Sequence, residues 1–300
     1  MTEHSTGVVT RGLGAAVVGS CMTGFGGVFA TLTYGMSGLV LTCWRLWLGG
    51  VFLMVVLAVS RRRLHWGTIR ASVVPSAFLA ADFYLFFCAL KLTSVVDATV
   101  LGAIQPALVM VAARRMFNEQ LRRSDIVWIV VAIAGVTIAV LGPGAKGPNA
   151  LEGDLFAVGA MLMWTGYWLT GKRTRETHDA LEFTTCALVL SGVFMIPVWL
   201  LSGENILRSH AADWRWIVLL AIIPSTGHII LNYAQRFLAA SISSAIGCLN
   251  PLVASVAAVP ILHQPLSPTQ LFGVLVGVGA VVMITTRQRR SLEGDFPPQT

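Results

Sequence analysis

Charge is what this sequence has least of. Only 12% of its 300 residues are Asp, Glu, Lys or Arg, against 55% hydrophobic, and mean hydropathy is +0.74. Soluble domains carry about a quarter charged residues, so an ordinary aqueous surface is excluded and the bilayer is the solvent that fits. Cysteines are present but unorganised. Cys21, Cys43, Cys88, Cys186 and Cys248 all lie in apolar runs without a C-x-x-C spacing, which indicates neither a disulfide framework nor a zinc site. Also missing are G-x-S-x-G, H-E-x-x-H, a Walker loop and a spaced pair of acids. A membrane-embedded enzyme therefore has no motif to stand on, and no cofactor or metal is expected. A net charge of +7 suggests nucleic acid in a soluble chain. Here the basic residues fall in short gaps between apolar runs, as in membrane proteins, and no nucleic-acid partner is expected.

Those runs are the main content of the chain. A helix needs roughly 17 to 25 mostly apolar residues to cross the hydrocarbon, where lipid offers free backbone groups no partner. Ten segments qualify: Gly12 to Leu32, Gly38 to Val59, Ala71 to Leu92, Val96 to Met116, Asp125 to Leu141, Gly153 to Lys172, Leu181 to Leu201, Trp214 to Leu238, Ile242 to Leu262 and Thr269 to Thr286. Arg11 before the first run imitates a signal peptide, but nine runs follow, and the first reads as an uncleaved helix. Sixteen Lys and Arg fall in one set of alternate gaps, among them Lys172, Arg173 and Arg175, and four in the other, with Arg45 alone inside a run. The bias predicts a multi-pass inner (plasma) membrane protein with both termini cytoplasmic.

Residues Ala98 to Val140 recur without a gap at Ser243 to Thr285, placing Gly102, Gln105, Pro106, Glu119 and Leu121 on Gly247, Asn250, Pro251, Gln264 and Leu266. The chain is internally duplicated. Five crossings per half is an odd number, so the halves enter from opposite sides. The expected fold is all-α, ten transmembrane helices as two inverted five-helix repeats: residues 1–142, a periplasmic or extracellular linker 143–152, residues 153–287, and a polar cytoplasmic tail 288–300. Inverted halves place a substrate near the midplane and permit alternating access.

The stretches QPALVMVAARRMFNEQL (Gln105 to Leu121) and NPLVASVAAVPILHQPL (Asn250 to Leu266), with Trp44-Arg45 in the second helix, carry a resemblance. The chain resembles the EamA-type branch of the drug/metabolite transporter superfamily over nearly its whole length. One departure is Gln264, where the family commonly has a glutamate; Glu119 keeps its acid. The resemblance implies an inner-membrane exporter or importer of small metabolites.

Several residues are candidates for the mechanism. Pro106 and Pro251 each lack an N–H and crowd the carbonyl four residues back, at Gly102 and Gly247. They read either as hinges, with Gln105 and Asn250 serving the freed backbone or the substrate, or as static kinks. Ser225, His228, Asn232 and Gln235 share one helical face and form either a cavity wall or interhelical hydrogen bonds. Ser20 and Thr23 offer an opposing wall, and Trp164, Tyr167 and Trp168 could stack on a planar solute or simply pack. Arg45 and Asp82 are the costly intramembrane charges. They read as a permanent ion pair, or Asp82, with His228, takes up a proton and couples transport to the gradient. Gly273, Gly277 and Gly279 make a small face for a dimer seam or internal packing, so the chain is expected as a monomer or weak homodimer. Together these predict a secondary transporter of a small amino-acid-like or aromatic, drug-like metabolite, with export favoured. A membrane enzyme and a passive channel are the alternatives.

Overall fold

Cap chemistry sets the first boundaries. In the computed structural model, which describes residues 2–92, 105–118, 122–140, 150–207, 213–262 and 267–294, α2 (Gly38–Val59) starts at Ser37, whose hydroxyl accepts from the Val40 N–H at 3.2 Å. It ends where Arg61 turns left-handed. The matching helix of the second half, α7 (Ala180–Ser202), starts at Asp179, whose carboxylate accepts from Leu181 and Glu182 N–H, and stops at left-handed Gly203. The other helices are α1 (Thr2–Thr31), α3 (Trp66–Leu92), α4 (Gln105–Phe117), α5 (Arg123–Val140), α6 (Ala150–Thr177), α8 (Trp214–Ala234), α9 (Ala240–Ile246), α10 (Leu249–Leu262) and α11 (Pro268–Gly294). No strand occurs among the described residues.

Among the described residues, six helical stretches are long and apolar enough to cross a membrane: Thr10–Thr31, Gly38–Val59, Trp66–Leu92, Ala180–Ser202, Trp214–Ala234 and Ala240–Ile261. The burial pattern is that of a protein dissolved in lipid. Val51, Met54 and Val55 of α2 and Leu271, Leu275 and Val282 of α11 are exposed, while Arg45, Ser225, His228 and Asn232 are buried. This is a multi-pass membrane protein.

The most extensive helix pairs are α3 with α6, α1 with α8, and α5 with α11, followed by α2 with α7. Glycine lets the backbones approach. A Cβ at Gly19 would lie 2.8 Å from the Leu231 nitrogen and 2.9 Å from the Gly227 carbonyl oxygen across the α1–α8 seam. Gly135 of α5 meets the backbone of Gly277 of α11, so Gly277 is used for packing inside the chain.

The ninth apolar run is not one helix. It breaks at Gly247 and Cys248, between α9 and α10. Pro251 has no N–H to offer the Gly247 carbonyl four residues back, and that carbonyl instead accepts from the Asn250 N–H at 2.9 Å. The corresponding Gly102, with Glu119, Leu121, Gln264, Leu266 and the linker up to Asn149, lies outside the described residues. At the C-terminus α11 runs to Gly294, so residues assigned to a polar tail begin as helix.

Candidate functional site

Pairing helices across the two halves leaves a cavity of about 190 Å³ where α1, α2, α3, α4, α6, α8 and the α9–α10 break converge. An engineered protein cavity of about 150 Å³ holds benzene, so this one suits a solute of few atoms. Its aromatic lining comes from Phe83, Phe86 and Phe87 of α3 and Trp164 and Trp168 of α6. Its polar lining is Thr23, Arg45, Asp82, Gln105, His228 and Asn250. The break contributes Gly247 and Cys248, α10 contributes Pro251, and α4 contributes Pro106.

Arg45 is 1% exposed. Its Nη1 donates to Ser225 Oγ on α8 at 2.8 Å, and its guanidinium sits 5.2 Å from the Phe83 ring centroid. Its Nη2 has no acceptor among the described residues. Asp82 lines the same cavity, 8% exposed, and makes no hydrogen bond or ion pair with any described residue. The Arg45–Asp82 ion pair, one of the two readings of these residues, does not form; the contacts between acidic and basic side chains among the described residues are Arg62 with Asp179, His65 with Glu182 and Lys172 with Glu176. Gly49, one turn beyond Arg45, explains the difference: it leaves the guanidinium room to turn toward Ser225. The cavity is therefore lined by a basic and an acidic side chain that do not pair with each other. His228 stands edge-on between Phe83 at 5.9 Å and Trp164 at 5.7 Å.

The polar stripe of α8 divides. His228 alone of the four lines the cavity. Ser225 holds Arg45. Asn232 Oδ1 accepts from Arg175 Nε at 2.8 Å, and its Nδ2 donates to Thr184 Oγ1 at 2.8 Å and Tyr167 OH at 3.1 Å. Gln235 is buried with its side-chain amide unpartnered among the described residues, and its backbone carbonyl accepts from Lys172 Nζ at 3.1 Å. Tyr167 packs in the core rather than against the cavity, Ser20 is fully buried away from it, and Trp164 and Trp168 do line it. Gln105 Oε1 accepts from Ser244 Oγ at 2.9 Å, which ties α4 to α9, while its Nε2 and Asn250 Oδ1 have no partner among the described residues.

Sequence reasoning missed Arg175, which gap counting placed among surface charges. It is 1% exposed. Its side chain folds back along α6, donating to the Trp168 carbonyl at 2.8 Å and the Tyr167 carbonyl at 3.3 Å, and its guanidinium stacks over Tyr167 at 4.6 Å and Phe183 at 5.0 Å. Lys172 is likewise interior and caps the end of α8 through the Gln235 and Leu238 carbonyls. The readable signal was glycine. Gly171 lies four residues before Arg175 and Gly49 four after Arg45, and each clears space for its guanidinium.

Known proteins match this architecture. The chain is 24% identical to an uncharacterized transporter, YyaM, of Bacillus subtilis over 80% of each chain. It is 23% identical to the threonine/homoserine exporter RhtA of Escherichia coli over 70% of each. One solved crystal structure shares the fold at a TM-score of 0.73 and 16% identity, covering 95% of this chain and 99% of that one. The EamA-like transporter family model matches residues 10–141 and again residues 151–286, two copies that together take in almost everything described above. The chain belongs to the EamA-like transporter family, within the drug/metabolite transporter superfamily.

Proposed function

We propose that this protein is a secondary transporter that exports a small zwitterion of amino-acid type across the plasma membrane by alternating access. The carrying observation is that Arg45 and Asp82 line one cavity of about 190 Å³ without pairing with each other. A solute with a carboxylate for Arg45 and an ammonium for Asp82 matches both, and its apolar part meets Phe83 and Trp164. The threonine/homoserine exporter among the relatives handles solutes of this class and size.

Alternating access rests on ten crossings arranged as two inverted repeats. The helix pairing supports this: under a five-helix offset, α1 with α8 exchanges with α6 with α3, while α2 with α7 maps onto itself. Contacts at the two ends of the α2–α7 pair repeat the relation. Arg62, beyond the end of α2, pairs with the N-cap Asp179 of α7, and Glu204, beyond the end of α7, accepts from the N-cap Ser37 of α2. Each half thus latches the opposite end of the bundle, with the termini cytoplasmic. The α9–α10 break at Gly247 and Cys248, with Pro251 just after it and Pro106 opposite, serves as the moving joint.

Asp82 can hold a proton or an ammonium group but not both, so inward proton flow displaces outward substrate. The test uses purified protein in liposomes with labelled threonine. Saturable counterflow, inhibited by neutral amino acids but not by the matching amine or amide, is expected. Asp82→Asn should lose the stimulation by an imposed pH gradient. Conversion of the label to a new compound, or flux that does not saturate, would replace this reading with an enzyme or a channel.

A further inference from the structure

A second recess, of about 360 Å³, opens between α3, α4 and α6, away from the solute cavity. Its walls are Val74 and Pro75 of α3, Met116 and Phe117 of α4, and Leu169 of α6, with Arg173 one turn beyond Leu169. Val74 and Met116 are exposed, so the recess faces the surroundings of the bundle. Helices α3 and α6 run antiparallel: Phe78 lies against Gly166, Leu85 against Gly159, and Thr174 Oγ1 donates to the Ala71 carbonyl at 3.5 Å. That register brings Arg70, one turn before Val74, to the same end as Arg173.

This end has arginine to spare. Arg70, Arg114, Arg115 and Arg173 are all exposed. The nearby acids among the described residues are already engaged, Glu176 by Lys172, Asp179 by Arg62 and Glu182 by His65. None of the four arginines has a carboxylate partner among the described residues. An apolar slot open to lipid, with uncompensated guanidinium groups at its mouth, complements a hydrocarbon chain ending in a phosphate. A zwitterionic headgroup brings its own cation to these arginines, and a second copy docked face to face brings the same like charges together.

We propose that this recess binds one anionic phospholipid, its acyl chain lying against Val74, Pro75 and Leu169 and its headgroup phosphate held by Arg70 and Arg173. The site is separate from the solute cavity and stands whatever the transported solute is.

The test is native mass spectrometry of the full-length protein released from nanodiscs of phosphatidylcholine mixed with phosphatidylglycerol, with thermal unfolding as the check on folding. Wild type is expected to retain one phosphatidylglycerol through delipidation. The double variant R70Q/R173Q should hold it about tenfold less, the scale of one or two arginines near an anionic headgroup. Val74→Trp fills the slot without touching charge and should also lose it; Val74 is exposed, so the larger ring has room. The control R61Q/R63Q removes two exposed arginines at the same end outside the recess and should retain the lipid. Equal retention in all variants, equal loss in the control, or retention of phosphatidylcholine in place of phosphatidylglycerol would overturn the proposal.

Discussion

A Cβ built on Gly49 would lie 2.5 Å from Nη1 of Arg45 and 2.8 Å from Oγ of Ser225. The hydrogen bond between α2 and α8 exists because this position has no side chain. It fixes the guanidinium on one wall of the cavity, bonded to Ser225 rather than to Asp82.

Gly49→Ala should therefore displace Arg45 and lower counterflow by more than about tenfold, with an overpacking cost of about 1–3 kcal/mol in stability. The neighbouring Gly50→Ala is the comparison, since a Cβ there would meet Val189 Cγ2 at a milder 3.3 Å. Transport by the Gly49 variant at the wild-type rate would show that the placement of Arg45 is not needed.

Asn232 predicts a different pattern. Asn232→Ala strands the Nε–H of a guanidinium that is 1% exposed and should cost about 3 kcal/mol, read as a lowered unfolding midpoint. Asn232→Asp keeps the acceptor and should be milder. Since Asn232 does not line the cavity, the affinity of the surviving folded fraction for substrate should not change.

Pro251→Ala restores a donor four residues after Gly247 and allows α9 and α10 to join. The expected result is an unfolding midpoint at or above wild type together with slower turnover. Unchanged turnover with a joined helix, seen as slow exchange of the amide that the substitution introduces, would leave the break as a static bend.

The Arg62–Asp179 contact lies outside the membrane spans and titrates. Partial burial pushes the Asp179 carboxyl up, but the Arg62 hydrogen bond and charge and the N–H groups of Glu182 and Leu181 outweigh it and hold the group below its ordinary value. A folded-state value below the unfolded one means the contact stabilises above the unfolded value, about pH 4, and fades as pH falls through the folded value. Exposure of the pair limits its worth to under about 1 kcal/mol, with the cap adding about 1. Asp179→Ala should thus lower the unfolding midpoint at pH 7, Asp179→Asn by less, and the gap to wild type should close below about pH 4.

Local chemistry was legible where a single residue decides it. Helix α2 spans Gly38–Val59 as read, because Ser37 caps it and the arginines after Ser60 cannot continue an apolar run. Gly247 and Pro251 could be singled out because proline withholds a donor at a known spacing; that the run parts at Cys248 could not, since hydropathy is indifferent to which carbonyl an N–H meets. The partners of the α8 stripe were hidden for another reason. Ser225 and Asn232 spend their hydrogen bonds on Arg45 and Arg175, residues 180 and 57 positions away, and only tertiary structure joins them. Lys172 and Arg175 were misplaced because a long side chain can fold back inside from a helix end.

Arg175 also bears on how the protein is made. It leaves the ribosome 57 residues ahead of Asn232, so α6 reaches the bilayer before the acceptor for its Nε–H has been synthesised. Until α8 arrives, the guanidinium has only the carbonyls of its own helix, at Tyr167 and Trp168, and must stay near the membrane surface. Its burial is then a late assembly step, and a nascent chain halted after α7 should leave Arg175 open to a guanidine-specific reagent that the finished protein excludes.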